Sequence, residues 1–135
     1  MTGRRSADTP QVILHSTRHE RVTVNVELAI DPDEMARGLM FRDHIAAGWG
    51  MLFIYPSSGR HSFWMKNTYI PLDLIFVAPD GRIVNIIENA RPLSLAPLAS
   101  TAPVTAVLEV AGGTAARLGI RPGHGLKIVE AAPGA

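Results

Sequence analysis

The chain has 135 residues, of which 13 are basic and 12 acidic, so its formal net charge is +1. This length suits one domain with its own core, and the balanced charge argues against a nucleic-acid partner held by phosphate contacts. Because there is no cysteine, disulfides, thiol catalysis and cysteine-bound metals are excluded.

The first 30 residues predict an arm followed by two strands. Residues 1–10 are polar and basic, with no apolar run behind them, so we expect a disordered arm and no export signal of the twin-arginine type. An apolar run at 12–15 predicts the first strand. Apolar and polar residues alternate over 22–28, which is the period of a strand with one buried face and one exposed face.

A short helix is predicted after these strands. Asp31 can cap it, Pro32 suits the first helical position, and Glu34 can close a capping box. We expect the helix to extend to about Phe41, which would place apolar side chains four residues apart on one face.

The middle third of the sequence contains the predicted core. All eight aromatic residues lie between Phe41 and Phe76, so we expect the core and any ligand site to be built there. Apolar runs bounded by turn residues predict strands at 50–55, 62–66, 72–78 and 82–88. The first of these strands is expected to stop at Pro56.

The last third predicts fewer elements. Residues 89–103 contain three prolines and little charge, which is typical of a long surface crossing. A strand is expected at 104–110, a short helix at 114–118 that ends at Gly119, and a last strand at 126–129.

Together these elements predict a mainly β fold, a compact antiparallel β-sandwich or barrel of jelly-roll type with two short helices. We expect a single domain at 11–131 and a C-terminal tail at 132–135. No segment is long and apolar enough to span a bilayer. We expect a monomer or a weak dimer.

Several short motifs occur in an order that resembles domain-of-unknown-function family 192 (DUF192). They are Gly38-Leu39-Met40, Gly50-Met51-Leu52-Phe53, Phe63-Trp64-Met65-Lys66-Asn67-Thr68, Ile70-Pro71-Leu72-Asp73 and Val107-Leu108-Glu109-Val110. The resemblance covers roughly 22–129 and implies a small β-rich sandwich or barrel without established catalytic residues. Many relatives are exported, so it implies a periplasmic protein if a signal peptide has been removed, and a cytoplasmic one otherwise. Relatives commonly have an acidic residue where this chain has His124.

Asp73 is the most informative polar residue of the sequence. It interrupts the apolar run at 70–77 and shares a strand face with apolar neighbours, so we expect it to be at least partly buried. A buried carboxylate needs a cation or hydrogen-bond donors. Lys66 is the natural cationic partner, followed by Arg37 and Arg42. The interpretation we favour is a structural Asp73 that accepts main-chain N–H groups in the bend after Asn67.

Trp64 and Lys66 are predicted to point to the same side of their strand. If that side faces a groove, the ring and the cation suit a sugar or an extended peptide, and Trp49 and Tyr69 would extend the groove. Alternatively, Trp64 lies in the core while Lys66 reaches the edge. Asn67 is expected to satisfy main-chain groups of the bend.

Histidines offer weaker signals. His61 is expected to be exposed in a turn, where it could transfer protons, but no serine or acid is placed to complete a triad. His15 and His19 are four residues apart and lack a clear third ligand. We therefore expect neither a metal nor a cofactor.

The sequence does not disclose an activity, and three hypotheses remain open. The first is a non-catalytic binding module for an elongated ligand, a glycan or a peptide, with candidate residues Trp64, Lys66, Asp73, Asn67, Arg42 and Trp49. The second is a hydrolase or lyase that uses Asp73 with Lys66 or His61. The third is a structural or accessory protein that acts through an exposed apolar patch near 92–103.

Overall fold

A computed structural model describes residues 9–129. The strands, β1 to β9, are Gln11–His15, Arg21–Ala29, Trp49–Gly59, Ser62–Phe63, Leu72–Val77, Ile83–Ala90, Leu98–Ala99, Val104–Ala111 and Leu126–Val129. The helices, α1 and α2, are Pro32–Arg37 and Thr114–Leu118. The mainly β fold with two short helices is thus confirmed. The predicted tail at 132–135 and most of the predicted arm at 1–10 lie outside the described residues, and the domain bounds 11–131 stay a prediction.

Seven of these strands form one curled sheet in the order β6-β5-β8-β3-β2-β1-β9, while β4 and β7 form a small separate pair. Neighbours in the large sheet are antiparallel, except that β2 and β3 run parallel. A parallel pair needs a long crossover, which the segment at 30–48 supplies with α1. The sheet curls into a half-barrel, and Arg82 and Gly125 bridge its two edges at one end.

The two faces of the sheet carry different cores. One face packs an aliphatic core, to which all seven strands of the large sheet contribute. Ala115 of α2 and Ile120, just after the helix, complete this core. The other face packs an aromatic core, whose largest members are Phe53, Phe76, Met65, Leu72 and Leu74. The helix α1 and the pair β4–β7 lie on the side of the aromatic core. A site beside the aromatic residues therefore lies on this second face.

The start of α1 agrees with the sequence. The Asp31 carboxylate accepts the main-chain N–H of Glu34 at 2.8 Å, and Glu34 accepts that of Asp31 at 3.2 Å, which completes the predicted capping box. The helix ends at Arg37 instead of Phe41, because Gly38 takes a positive φ of 49° and its N–H donates to the Glu34 carbonyl.

Two strand ends differ from the prediction. The strand β3 continues past Pro56 to Gly59, but its pairing with β8 is interrupted between Ile54 and Gly59, since proline has no N–H to donate. The strand β4 ends at Phe63, so Trp64 to Lys66 lie in the bend that follows it.

Gly50 lies on β3 directly against β8. A Cβ atom at this position would be 2.6 Å from the main-chain oxygen of Glu109 and 2.9 Å from Cγ1 of Val110. We expect Gly50→Ala to lower the free energy of unfolding by about 1–3 kcal/mol, as measured by urea denaturation. In the control Gly59→Ala, the nearest atom would be 3.6 Å away, and we expect a change below about 0.5 kcal/mol. Equal effects of the two substitutions would contradict the steric argument.

Candidate functional site

Asp73 is fully buried on β5, at 0% exposure, and all its side-chain hydrogen bonds come from main-chain donors. Its Oδ1 accepts the N–H groups of Asn89 at 2.8 Å and Gly113 at 3.1 Å. Its Oδ2 accepts the N–H of Ala115 at 2.8 Å. Ala115 belongs to the first turn of α2, whose N-cap Gly113 has no side chain to offer. Asp73 therefore caps α2 from a neighbouring strand.

The prediction of a cationic partner for Asp73 is wrong. Asp73 takes part in no ion pair among residues 9–129, so the predicted pair with Lys66 does not form. Arg42 instead binds both carboxylate oxygens of Glu27, with Nη2 donating to Oε1 at 2.9 Å. The favoured interpretation of main-chain donors is correct in kind, but they come from distant loops and not from the bend after Asn67.

Removal of the Asp73 carboxylate should lower the free energy of unfolding. Asp73→Ala leaves three main-chain N–H groups without their acceptor, that of Ala115 buried and those of Asn89 and Gly113 partly buried, so we expect a loss of about 2–4 kcal/mol in the free energy of unfolding. Asp73→Asn should also destabilise, because its NH₂ group cannot accept a hydrogen bond. Asp80→Ala is a control, since exposed Asp80 accepts a single N–H from Arg82. Urea denaturation measures all three variants, and a loss at Asp73 no larger than at Asp80 would refute the capping role.

Glu109 is a buried acidic residue that the sequence reasoning did not single out. It lies on β8, between Met51 of β3 and Leu74 of β5, and only 4% of it is exposed. Within the described part of the chain, its carboxyl group has no hydrogen-bond or ion-pair partner. The signal was present in the sequence, because Glu109 interrupts the apolar run at 104–111 as Asp73 interrupts its own.

Burial controls the ionisation of this group. Desolvation raises the pKa of Glu109 to about 8, so the carboxyl group is mostly protonated at neutral pH. Desolvation and the nearby charge of Glu109 together raise the pKa of Tyr55 to about 12. An acid that is neutral at pH 7 can donate a hydrogen bond as well as accept one.

Glu109 lines a cleft of about 280 Å³ on the aromatic side of the sheet, called here the Glu109 cleft. Its remaining lining includes the aromatic residues Phe53, Tyr55, Phe63 and Trp64. Met35 and Leu39 line it from α1 and the following turn, and Ser62 and Thr68 add hydroxyl groups. The cleft thus combines aromatic rings with a few polar groups, as small-ligand sites do.

Trp64 and Lys66 lie together at the surface. Trp64 is 48% exposed and lines the Glu109 cleft, so the interpretation that placed it in the core is wrong. The Lys66 Nζ atom lies 5.1 Å from the centre of the Trp64 ring, which is a cation–π distance. Asn67 has a positive φ of 54°, and its carbonyl accepts the N–H of Phe41 at 2.8 Å.

A second hollow of about 580 Å³ adjoins the Glu109 cleft, and Arg37 and Gly38 line both. We call it the adjoining hollow. Its lining carries two guanidinium groups, of Arg37 and Arg42, and four carboxylates, of Glu27, Asp31, Asp33 and Glu34. The two spaces are therefore neighbours, called together the depression here, and their acidic groups lie mainly in the adjoining hollow.

Comparison with known proteins identifies the family of this chain. The DUF192 family model, described as Uncharacterized ACR, matches residues 13–128. The chain belongs to the DUF192 family. Among curated proteins, none matches it.

Two solved structures are similar to this DUF192 domain. A protein of Sinorhizobium meliloti 1021, described as a candidate transcription regulator, is 43% identical with a TM-score of 0.85, over 89% of this chain and 93% of that one. A protein of unknown function from Novosphingobium aromaticivorans DSM 12444 is 44% identical with a TM-score of 0.83, over 87% and 83% respectively.

The other predicted site residues lie apart from the depression. Trp49 begins β3 and lines neither space. Tyr69 packs edge-on against Phe41, with ring centres 6.1 Å apart. His61 is half-buried instead of exposed, because its ring stacks on Tyr55 at 3.5 Å, and desolvation lowers its pKa.

The hydrolase or lyase hypothesis gains no support from this placement, since the Asp73 carboxylate is occupied by main-chain N–H groups. Among the described residues, no three or more side chains of the metal-ligating types cluster closely enough to hold a metal ion. Neither α1 nor α2 is long and apolar enough to cross a membrane.

The free energy of unfolding of this DUF192 domain should fall as the pH rises from about 4.5 to about 8. The ordinary pKa of the Glu109 carboxyl is 4.5, and that of the folded state is about 8. Between these values the unfolded chain loses a proton that the folded chain keeps, so rising pH favours unfolding, by up to about 1.4 kcal/mol per pH unit. Urea denaturation between pH 4 and pH 9 measures the slope.

Two variants isolate the contribution of Glu109 to this slope. Glu109→Gln should remove it and stabilise the protein at pH 8 to 9, while Glu88→Gln, an exposed site on β6, should leave it unchanged. A slope that persists in Glu109→Gln would show that another group causes the pH dependence.

Proposed function

We propose that this DUF192 domain is a non-catalytic binding module for an elongated ligand, and that the ligand is a peptide in an extended conformation. The observation that carries the proposal is that the Glu109 cleft and the adjoining hollow are neighbours, which share Arg37 and Gly38. An elongated ligand can place one group in the cleft while its neighbours lie along the hollow.

The wall of the Glu109 cleft supports binding. Trp64 leaves about half of its surface to solvent, although a large aromatic side chain is most stable when it is buried. Exposed aromatic residues beside a concave surface are frequent binding determinants. Lys66 adds three N–H donors at the same place, which suits the carbonyl groups of a ligand.

Size and charge favour a peptide over a glycan. The Glu109 cleft, at about 280 Å³, is at the lower limit of sites for whole small molecules, about 300 Å³, so it fits a single side chain better than linked sugar rings. The four carboxylates and two guanidinium groups of the adjoining hollow complement a segment with basic residues. A glycan stacked on Trp64 is the main competing ligand.

The predicted site residues take different parts in this proposal. Trp64 and Lys66 contact the ligand at the cleft, Arg42 contacts it in the adjoining hollow, and Asn67 shapes the bend between β4 and β5. We assign a structural role to Asp73, which is buried on the other face of the sheet, and no ligand contact to Trp49.

A nucleic-acid ligand is less favoured. One similar structure is described as a candidate transcription regulator, yet this chain has a net charge of +1 and the acidic groups of its depression lie mainly in the adjoining hollow. Phosphate groups would be repelled there. A regulatory role through binding of a protein segment is compatible with the proposal.

An exposed apolar surface favours a second candidate function, an accessory protein that acts through its surface. Phe41, Tyr69, Leu93 and Leu95 are all exposed, and main-chain hydrogen bonds join Phe41 to Asn67 and Leu93 to Thr68. Two of these residues lie within the segment at 92–103, where the sequence predicts such a patch. Tryptophan fluorescence distinguishes this function from peptide binding.

Tryptophan fluorescence tests the proposal with little ambiguity. In Trp49→Phe the only tryptophan is Trp64, so its emission reports on the Glu109 cleft. We expect blocked basic peptides to shift this emission, and Trp64→Ala to weaken their binding by about tenfold, as measured by calorimetry. The control Leu95→Ala, at an exposed position outside the cleft, should bind normally.

The outcomes separate the candidate ligands. A response to glycans but not to peptides would show that the ligand is a glycan and not a peptide. Silence with both, together with normal folding of the variants, would refute the binding module and favour the accessory protein.

A further inference from the structure

We propose that the Glu109 cleft takes an organic cation, the guanidinium or ammonium group of a basic side chain, and that the Glu109 carboxyl group releases its proton when the cation enters. This inference rests on the proposed function, of which it names the ligand group. It concerns a residue whose chemistry the rest of the fold does not use.

The first argument is the missing partner of Glu109. Nearly all buried polar groups in folded proteins have a hydrogen-bond partner, and a buried carboxyl group without one destabilises the fold. Glu109 is 4% exposed, its carboxyl oxygens reach the cleft, and they have no such partner among residues 9–129, where the fully enclosed side-chain atom without a partner is His61 Nε2. A ligand with N–H donors would satisfy this carboxyl group.

The second argument is the aromatic lining. The rings of Phe53, Tyr55, Phe63 and Trp64 line the cleft beside Glu109, and the faces of aromatic rings attract cations. Trp64 already attracts one, since the Lys66 Nζ atom lies 5.1 Å from its ring centre. Aromatic rings around a carboxylate favour an organic cation over a neutral or an anionic group.

The charged and titratable groups around Glu109 allow its proton to leave when a cation enters the cleft. Arg37 at the end of α1 lines the cleft mouth but is exposed and forms no ion pair with Glu109. From β3, the pKa of Tyr55 is about 12, so Tyr55 stays neutral. His61, stacked on Tyr55, has a lowered pKa and is neutral above pH 7. Glu109 is therefore the group of the cleft that titrates between pH 7 and pH 9.

The exchange balances in charge. In the free protein the carboxyl group of Glu109 is mostly protonated at pH 7. When the cation enters, the O–H bond of this group breaks, the proton passes to solvent, and the carboxylate accepts N–H hydrogen bonds from the cation. One positive charge enters as one proton leaves, so the buried cleft keeps its net charge.

Calorimetry with n-butylguanidinium tests the inference. This probe stays charged from pH 6 to pH 9, so any pH dependence belongs to the protein. We expect its affinity to rise about tenfold from pH 7 to pH 9, because the ionised fraction of a group with pKa about 8 rises by that factor. At pH 7 close to one proton should be released, seen as a dependence of the binding heat on the ionisation enthalpy of the buffer. The uncharged analogue n-butylurea should not bind.

Matched variants locate the site. Glu109→Gln should lower the affinity at pH 9 by tenfold or more and remove the pH dependence, while Glu88→Gln should change neither. Trp64→Ala should weaken binding at every pH and keep the pH dependence. Equal binding of n-butylurea, a constant affinity between pH 7 and pH 9, or normal binding by Glu109→Gln would each overturn the inference.

Binding of peptides distinguishes the cation site at Glu109 from the peptide-binding function. Blocked peptides that contain arginine should bind more tightly than the same peptides with citrulline, which has the shape of arginine without its charge. Equal binding of the two would overturn the cation site and leave the peptide module standing. Binding of n-butylguanidinium at Glu109 without binding of any peptide would support the cation site and overturn the peptide module.

Discussion

The hydrogen bonds of Asp73 connect the end of β6 and the start of α2 to β5. One carboxylate on β5 accepts N–H groups from the end of β6 and from the start of α2. A buried carboxylate requires donors, and the loop before a short helix requires acceptors, so each satisfies the other. Because α2 is fixed in this way, Ala115 and Ile120 can close the aliphatic core, and the opposite face remains for the cleft.

Two buried carboxyl groups on adjacent strands show that a similar sequence pattern can lead to very different surroundings. Asp73 pairs in register with Val110, and Leu74 with Glu109, so the two acids are close neighbours in the ladder on opposite faces of the sheet. Asp73 has three donors, whereas Glu109 has aromatic neighbours and an opening to solvent. The first arrangement satisfies the carboxyl oxygens with donors, and the second leaves an acid whose pKa burial raises to about 8.

Local signals in the sequence predict much of the fold. The capping box of α1, the helix α2 that ends at Gly119, and the burial of Asp73 all depend on residues within a few positions of one another. The donors to Asp73 lie 16 to 42 positions away, and the parallel pair β2–β3 depends on the crossover at 30–48, so neither follows from a local pattern. Asp73 and Glu109 each interrupt an apolar strand, so the sequence indicates that both are buried. It does not show that main-chain N–H donors surround only Asp73.

The meeting of the two sheet edges has a consequence for how this domain is made. The N–H of Leu126 donates to the Gly81 carbonyl at 2.7 Å, and that of Ile83 donates to the His124 carbonyl at 2.8 Å, while β9 also pairs with β1. The last described strand thus covers the edge of β1 and meets the far edge of the sheet at one end. A nascent chain that still lacks β9 leaves the edge of β1 unpaired, and open strand edges invite association with other chains. Completion of β9 therefore removes a surface on which the unfinished domain could aggregate.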